Sequence, residues 1–190
     1  MCMSMIYMQH NPNRSIIAVL CETRCGHTSM KEYLHTTINS PPLGKSYIMD
    51  GITYESINDI EADRIVLVVR QPYDRLWSSR THTDNAIKAG KVKSRLRDKW
   101  ISDHSSLYLH KLCKSGKITH IIPFQNLLEY IPVSSNTMQY HITPNHTRFE
   151  DWMYNYHSQD DMELEYSAYC ELMDTIPQVS VEDWNKYILC

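Results

Sequence analysis

Two short apolar runs, each followed at once by a turn and a helical pattern, constrain the fold of this chain more than any other feature. They span residues 15–20 and 64–69, and after Arg64 the second consists entirely of Ile, Val and Leu. Continuous apolar runs of this length are typical of strands that are covered on both faces. Strands that alternate with helices predict an α/β fold with a central parallel sheet flanked by helices. Ligands of such sheets bind at the carboxyl ends of the strands, where both turns fall.

Weaker patterns along the rest of the chain fit the same architecture. Helices are predicted at 28–38, from Pro72 onward, at 100–113 and in a short stretch that ends at 130. Further strands are predicted at 46–49 and 117–122, and amphipathic stretches at 150–156, 162–173 and 181–189. No internal repeat or linker interrupts these elements, so a single domain is expected over residues 1–190.

Size and charge narrow the class of protein. At 190 residues with a net charge of −3, the chain can bury one core and has no global attraction to nucleic acid or acidic membranes. No apolar run reaches the ~18 residues that span a bilayer, and the N-terminus lacks the pattern of a signal peptide. We therefore expect a cytoplasmic protein with no nucleic-acid or membrane partner. The six scattered cysteines predict reduced thiols.

The first turn, at residues 24–29, has the composition of an anion-binding loop. Gly26 permits a close backbone approach, and the amides from Gly26 to Ser29 point outward at the start of a helix, where the dipole favours an anion. Thr28 and Ser29 add hydroxyl donors, and Arg24 adds a permanent positive charge. An ordinary strand-to-helix turn, with Ser and Thr as caps, is the structural alternative.

Two other readings of this turn are less favoured. A nucleoside-triphosphate P-loop has a lysine before its Ser or Thr, and no lysine precedes Thr28. Such sites also need a carboxylate for magnesium, whereas the neighbouring predicted strand ends at Arg70. Zinc binding by Cys21, Cys25 and His27 is disfavoured because no second compact Cys/His pair completes the site. The turn therefore predicts a phosphate site that works without a metal.

The second turn contains further residues of the types that bind a phosphate. Arg70 emerges at the carboxyl edge of the sheet, and Ser78 lies about two helical turns further along. A guanidinium binds a phosphate with two parallel hydrogen bonds, and a serine adds a third donor. As structural alternatives, Arg70 pairs with Asp74, and Arg75 is a surface charge. We favour the phosphate role for Arg70 and the surface role for Arg75.

Together the two turns resemble the nucleotide-binding signatures of sulfotransferases that use 3'-phosphoadenylyl sulfate (PAPS), and the carbohydrate sulfotransferase branch most closely. Thr23-Arg-Cys-Gly-His-Thr-Ser-Met30 resembles the loop that binds the 5'-phosphosulfate. Val69-Arg-Gln-Pro-Tyr-Asp-Arg-Leu-Trp-Ser78 is the closer match, to the 3'-phosphate motif. More weakly, Ile121–Leu127 resembles a further segment of these sulfotransferases, and Thr143–Thr147 resembles a later cofactor-binding loop.

The resemblance implies a fold, a reaction and a set of ligand contacts. It implies a P-loop-like three-layer sulfotransferase fold, PAPS as donor, the adenosine bisphosphate PAP as product, and no metal. The acceptor is a hydroxyl or amine that the sequence leaves unidentified, a carbohydrate among the candidates. The implied nucleotide contacts are Arg24, Cys25, Gly26, His27, Thr28, Ser29, Arg70 and Ser78.

The chain departs from the family pattern at two loop positions and in its length. His27 replaces the usual Thr, and Arg24 replaces the commoner Lys. Arginine keeps the charge but cannot give up a proton, so Arg24 would stabilise the leaving group without acting as its acid. The chain is short for the family, so the acceptor-binding part must be minimal or supplied by a partner subunit, which leaves a homo-oligomer open.

The resemblance also implies a catalytic base that takes the proton of the acceptor. We expect Arg24 to stabilise the leaving group and His27 to donate to the sulfonate. Asp50, beside a predicted strand end, is the expected base. Glu55, His35 and His82 stay open as bases. Asp59, Glu61 and Asp84 are weaker candidates.

Other functions and acceptors are not excluded by these patterns. A non-catalytic nucleotide-binding module on the same scaffold and an atypical P-loop small-molecule kinase are the alternatives to a sulfotransferase. The basic stretch at residues 88–99 fits either an anionic acceptor or a solvated face, and pattern alone favours the solvated face.

Overall fold

A computed structural model describes residues 3–10, 15–22, 24–38, 46–52, 54–105, 107–131 and 148–189. Its sheet has five strands in the order β3-β1-β2-β4-β5. The strands are β1 (Met3–His10), β2 (Ser15–Cys21), β3 (Ser46–Ile52), β4 (Arg64–Val69) and β5 (His120–Pro123). The fold is therefore mixed α/β.

Three neighbouring strands of this sheet are parallel, as predicted. In the register, Cys21 of β2 pairs with Val68 of β4, and Val69 of β4 pairs with Pro123 of β5. Their carboxyl ends consequently meet at one edge of the sheet. Beyond β2 the sheet departs from the predicted parallel arrangement, because β1 lies antiparallel to both β2 and β3. No strand is predicted from the sequence over the methionine-rich residues that form β1.

Seven helices accompany the sheet in the described part of the chain. They are α1 (His27–Ile38), α2 (Pro72–Lys88), α3 (Arg97–Asp103), α4 (Leu109–Ser115), α5 (Leu127–Tyr130), α6 (Gln159–Thr175) and α7 (Val181–Leu189). Short 3₁₀ turns occupy Tyr54–Asp59, Ser94–Leu96, Phe124–Asn126 and Asp151–Asn155. Among these residues, no helix is long and apolar enough to cross a membrane.

Helices cover both faces of the parallel strands, as the continuous apolar runs predicted. Alternate side chains of a strand point to opposite faces, so Val19 and Leu20 of β2 belong to different cores. The core around Val19 includes side chains of α1, α5 and α7, Trp184 among them. The core around Leu20 includes side chains of α4 and α6. The strands are therefore held rigidly where they deliver the two turns.

Helix α2 begins as its sequence predicts. Pro72 occupies its first turn, and the Gln71 side chain caps it by accepting a hydrogen bond of 2.8 Å from the Asp74 amide. The helix packs against α3 and α6. Its buried residues recur at three- and four-residue spacing, and they include Arg75, Ser79 and Thr83.

The single helix predicted at 100–113 is wrong, because the structure has α3 and α4 instead. Helix α4 begins at Leu109, where buried Glu165 of α6 accepts hydrogen bonds from the amides of Tyr108 and Leu109 at 2.9 and 2.8 Å. A carboxylate is a strong acceptor for the unpaired amides of a helix start. The cap is supplied by a residue more than 50 positions away, so local pattern does not contain it.

Candidate anion-binding site

The loop after β2 has an unusual backbone. Its turn is closed by a hydrogen bond of 3.0 Å from the Cys25 amide to the Glu22 carbonyl. Arg24 has a φ of 70° and Gly26 a φ of 78°. The left-handed region costs a residue with a side chain roughly 1–2 kcal/mol. The surrounding contacts therefore hold Arg24 in an unfavourable backbone conformation. Residues strained in this way cluster at functional sites.

Gly26 is required by both its backbone and its neighbours. A Cβ at this position would lie 2.2 Å from Leu127 Cδ2, and the Leu127 side chain is buried in the core. The absence of a side chain at Gly26 thus lets the loop lie close to Leu127 of α5, and the approach of its backbone to an anion stays a prediction. The loop is pressed against that helix.

The first turn of α1 follows the loop directly. The Met30 amide donates to the Gly26 carbonyl at 2.9 Å, so Gly26 is the residue from which the helix starts. The amides that precede Met30 in a helix have no acceptor within the helix. Thr28 is exposed and Ser29 half-buried on this turn. Cys25 differs from them, because its side chain is buried and its amide is bonded to Glu22.

The two predicted turns meet at Arg70. Its Nη1 atom donates a hydrogen bond of 2.7 Å to the carbonyl oxygen of Arg24. The side chain is almost completely buried, and its guanidinium lies over the Phe124 ring, 4.2 Å from the centroid. Arg70 thus stands at the base of the loop.

Arg24 brings a second guanidinium to the same place. Burial and then the charge of Arg70 lower the pKa of Arg24 to about 10, which still leaves it protonated at neutral pH. In the described residues its buried Nε atom has no hydrogen-bond partner. Two neighbouring cations at the start of a helix, one with an unsatisfied buried donor, form a site that an anion would stabilise.

Ser78 lies in α2, eight residues after Arg70 in the sequence. Its side chain is half-buried, and within the described part of the chain its hydroxyl makes no hydrogen bond. The next residue, Ser79, is buried, and its hydroxyl lies 3.0 and 2.8 Å from the carbonyls of Arg75 and His104. Ser79 is therefore structural, whereas Ser78 keeps a donor for a ligand.

The interpretation of Arg75 as a surface charge is wrong. Its side chain is buried and forms an ion pair with buried Glu22, the first residue after β2. The guanidinium also lies over the Tyr108 ring at 4.6 Å, and the Tyr108 hydroxyl is 4.0 Å from the Cys25 sulfur. This pair fastens the loop to α2. The sequence contains a sign of this burial, because Arg75 lies on the same side of α2 as buried Leu76 and Ser79.

The expected base, Asp50, lies in β3 and not after it. It is paired with Ser4, and Ser4 with Cys21, so its backbone is two strands from the end of β2. Neighbouring strands lie about 4.8 Å apart, which puts the Asp50 backbone roughly 10 Å from Cys21 at the same edge of the sheet. The side chains of Asp50, His35 and Glu55 lie outside the described residues.

Of the alternative bases, His82 is one whose pKa is lowered by partial burial and, in part, by the charge of Arg24 in the loop. It lies one turn after Ser78 on the exposed side of α2. Partial desolvation, followed by the positive charge of Arg24, lowers the pKa of His82, so its imidazole is neutral at pH 7. Asp59 and Glu61 are exposed, and Asp84 is engaged by Arg97 at 2.6 Å.

The remaining sequence predictions concern a metal site, the thiols and the two segments with a weaker family resemblance. In the described residues, no three His, Cys, Asp or Glu side chains form a group that could hold a metal ion. The Cys21 thiol donates to the Cys25 carbonyl at 3.2 Å, and burial raises its pKa. The segment 121–127 contacts the loop through Phe124 and Leu127. The segment 143–147 lies outside the described residues.

No protein-family model, curated protein or solved structure matches this chain. The functional interpretation therefore depends on the residues around Arg24 and Arg70.

Proposed function

We propose that this chain is a sulfotransferase that transfers the sulfuryl group of PAPS to a hydroxyl or amine acceptor. The observation that carries the proposal is the contact between the Arg70 guanidinium and the Arg24 carbonyl at the start of α1. PAPS bears a phosphosulfate at its 5' position and a separate phosphate at its 3' position. One such ligand needs two anion sites side by side, and the two arginine-bearing turns supply them.

Each turn has a distinct part in binding the nucleotide. The amides at the start of α1, with Arg24, Thr28 and Ser29, bind the 5'-phosphosulfate. Arg70 and Ser78 bind the 3'-phosphate. A guanidinium carries five N–H donors in a planar fork, and the Nη1 atom of Arg70 donates to the Arg24 carbonyl. The Phe124 ring beneath it keeps that fork in one orientation.

The reaction is an in-line displacement at sulfur. The acceptor oxygen or nitrogen forms a bond to sulfur, and the bond from sulfur to the bridging oxygen breaks, which releases PAP. Negative charge grows on that bridging oxygen, and Arg24 stabilises it without giving up a proton. His27, the first residue of α1, donates to the sulfonate. Asp50 or His82 takes the acceptor's proton.

Replacing Arg70 tests the nucleotide site. Calorimetry should show that Arg70→Ala weakens PAP binding about 100-fold, since hydrogen bonds to a charged group contribute about 1.5–3 kcal/mol each. Arg64→Ala is the matched control, because Arg64 begins the same strand and lies at the opposite edge of the sheet. Arg64→Ala should bind PAP like the unmodified chain. Equal PAP affinities for the two variants would contradict the assignment.

A further inference from the structure

Two segments of opposite charge lie on either side of residues 149–156. The segment 88–99, which we call the basic ledge, holds six of the 19 Lys and Arg residues and a single acidic residue, Asp98. Helix α6 has six acidic residues and no Lys or Arg. A solvated helix face commonly mixes both signs, as α7 does with its Lys186–Glu182 pair at 2.8 Å. The ledge and α6 keep the two signs apart.

Residues 149–156, which we call the aromatic strip, join the two charged segments. The Tyr156 hydroxyl donates to Asp98 of the ledge at 2.8 Å. The Tyr154 hydroxyl donates to Gln159, the first residue of α6, at 3.1 Å. The strip therefore lies between the ledge and the start of α6, with one tyrosine bonded to each.

The aromatic strip is held in place from beneath. Buried Met153 shares one hydrophobic core with Ile101 of α3 and Met162 of α6. The guanidinium of Arg80 lies over the Trp152 ring, 4.4 Å from its centroid. Trp, Tyr and Arg contribute most of the binding energy at protein interfaces. A partner that binds the strip meets side chains that are already ordered, which lowers the entropic cost of association.

The same surface exposes large hydrophobic side chains. Tyr154 is 60% exposed, although its ring packs edge-on against Phe149 at 4.7 Å, and Leu164 of α6 is 46% exposed. Among the residues that the structure describes, these are two of the four large hydrophobic side chains that are exposed. An aromatic and apolar centre with a charged rim is the usual anatomy of a protein–protein interface.

The charges on both sides of the strip lack partners of opposite sign. Lys91, Lys93, Arg95 and Lys99 are exposed, and none of these four forms an ion pair with a described carboxylate. The five exposed carboxylates of α6 form no ion pair with a described cation. The like charges along α6, and a last turn without a basic residue, destabilise the helix in the isolated chain. A cationic surface facing α6 would relieve that repulsion.

A two-fold axis makes this surface complementary to itself. Rotation by 180° about an axis through the aromatic strip lays the ledge of one copy on α6 of the other, and the reciprocal contact forms at the same time. The two strips then meet at the centre. A stable interface takes about 20–30 residues from each partner, which the ledge, the strip and the outer face of α6 together supply.

We propose that the aromatic strip, flanked by the basic ledge and the outer face of α6, binds a second copy of this chain and forms a two-fold dimer. The ledge then has the acidic face of α6 as its partner. This inference depends neither on the proposed sulfotransferase function nor on a bound nucleotide.

Sedimentation velocity of the full chain measures the dimer and its dependence on salt. The chain should sediment as a dimer at about 50 mM salt, and its dissociation constant should rise at least about 10-fold at about 500 mM, because ions screen exposed charge pairs.

Charge reversal identifies the two surfaces that meet. Arg95→Glu/Lys99→Glu reverses the ledge, and Asp160→Lys/Glu163→Lys reverses α6 beside the strip. Each double variant alone should have a dissociation constant at least about 100-fold higher, because like charges then face each other. An equimolar mixture of the two variants should form mixed dimers as tightly as the unmodified chain, because opposite charges face each other again. Recovery in the mixture also shows that both variants are folded.

Glu129→Lys/Glu182→Lys is the matched control. Both residues are exposed acids in the first turns of α5 and α7, which pack on the other face of the sheet. This variant has the same change of charge as the α6 variant and should dimerise like the unmodified chain. An unmodified chain that stays monomeric at about 100 µM would overturn the proposal. A mixture of the two reversed variants that stays monomeric, or a control as weakened as the α6 variant, would do the same.

Discussion

Arg75→Ala is expected to lower the free energy of unfolding by about 3–5 kcal/mol, the largest effect of any single substitution considered. The substitution leaves Glu22 as a buried charge without its partner, and breaking a buried ion pair on one side carries this cost. It also removes the guanidinium from the Tyr108 ring. Chemical denaturation of the purified chain measures the change.

A double-mutant cycle identifies the cause of that loss. Glu22→Gln/Arg75→Met removes both charges, so it should be more stable than the sum of the two single effects predicts by about 1–3 kcal/mol. Arg80→Ala is the control on the same helix, because Arg80 is only partly buried and lies over Trp152 at 4.4 Å. Its loss should be about 1 kcal/mol. Similar losses for Arg75→Ala and Arg80→Ala would show that the Glu22 pair is not what holds the loop.

The second large effect is expected on catalysis at Arg24. Arg24→Gly should slow sulfuryl transfer about 100- to 1000-fold, the usual cost of losing one donor to a developing negative charge. Stability should be unchanged or higher, because glycine adopts the φ of 70° without strain. Arg24→Lys keeps the charge and should retain more activity than Arg24→Gly.

Radiolabelled PAPS with a panel of glycans, phenols and peptides measures the transfer, and thermal denaturation of the same samples measures stability. A residue that is strained for function is recognised by these two results together, because its replacement lowers activity and keeps or raises stability. An Arg24→Gly chain that transfers sulfuryl at the unmodified rate would contradict the role of Arg24. A variant that loses stability along with activity would indicate a structural role instead.

Local pattern predicted the elements that position the site. The apolar runs of β2 and β4, and Pro72 at the start of α2, are short-range signals, and each element lies close to where it was expected. Gly26 is recognisable in the sequence because a tight strand-to-helix turn needs a permissive backbone. The meeting of the two turns followed from the parallel order of their strands.

What local pattern missed depends on contacts between distant residues. The charge of Arg75 predicts a surface position. The side chain is buried instead because Glu22 forms an ion pair with it. The cap that Glu165 provides for α4 has the same origin. The strand β1 was missed because its methionines resemble no standard strand pattern, and it forms by pairing with β2 and β3.

The most direct measurement compares PAP with adenosine 5'-monophosphate and adenosine 3'-monophosphate in calorimetry of the unmodified chain without magnesium. Two adjacent anion sites that bind one nucleotide should give PAP an affinity at least about 100-fold higher than either monophosphate, because each phosphate adds charge-assisted hydrogen bonds of its own. Affinities within about threefold of one another for all three ligands would contradict the joint action of Arg24 and Arg70 on a single nucleotide.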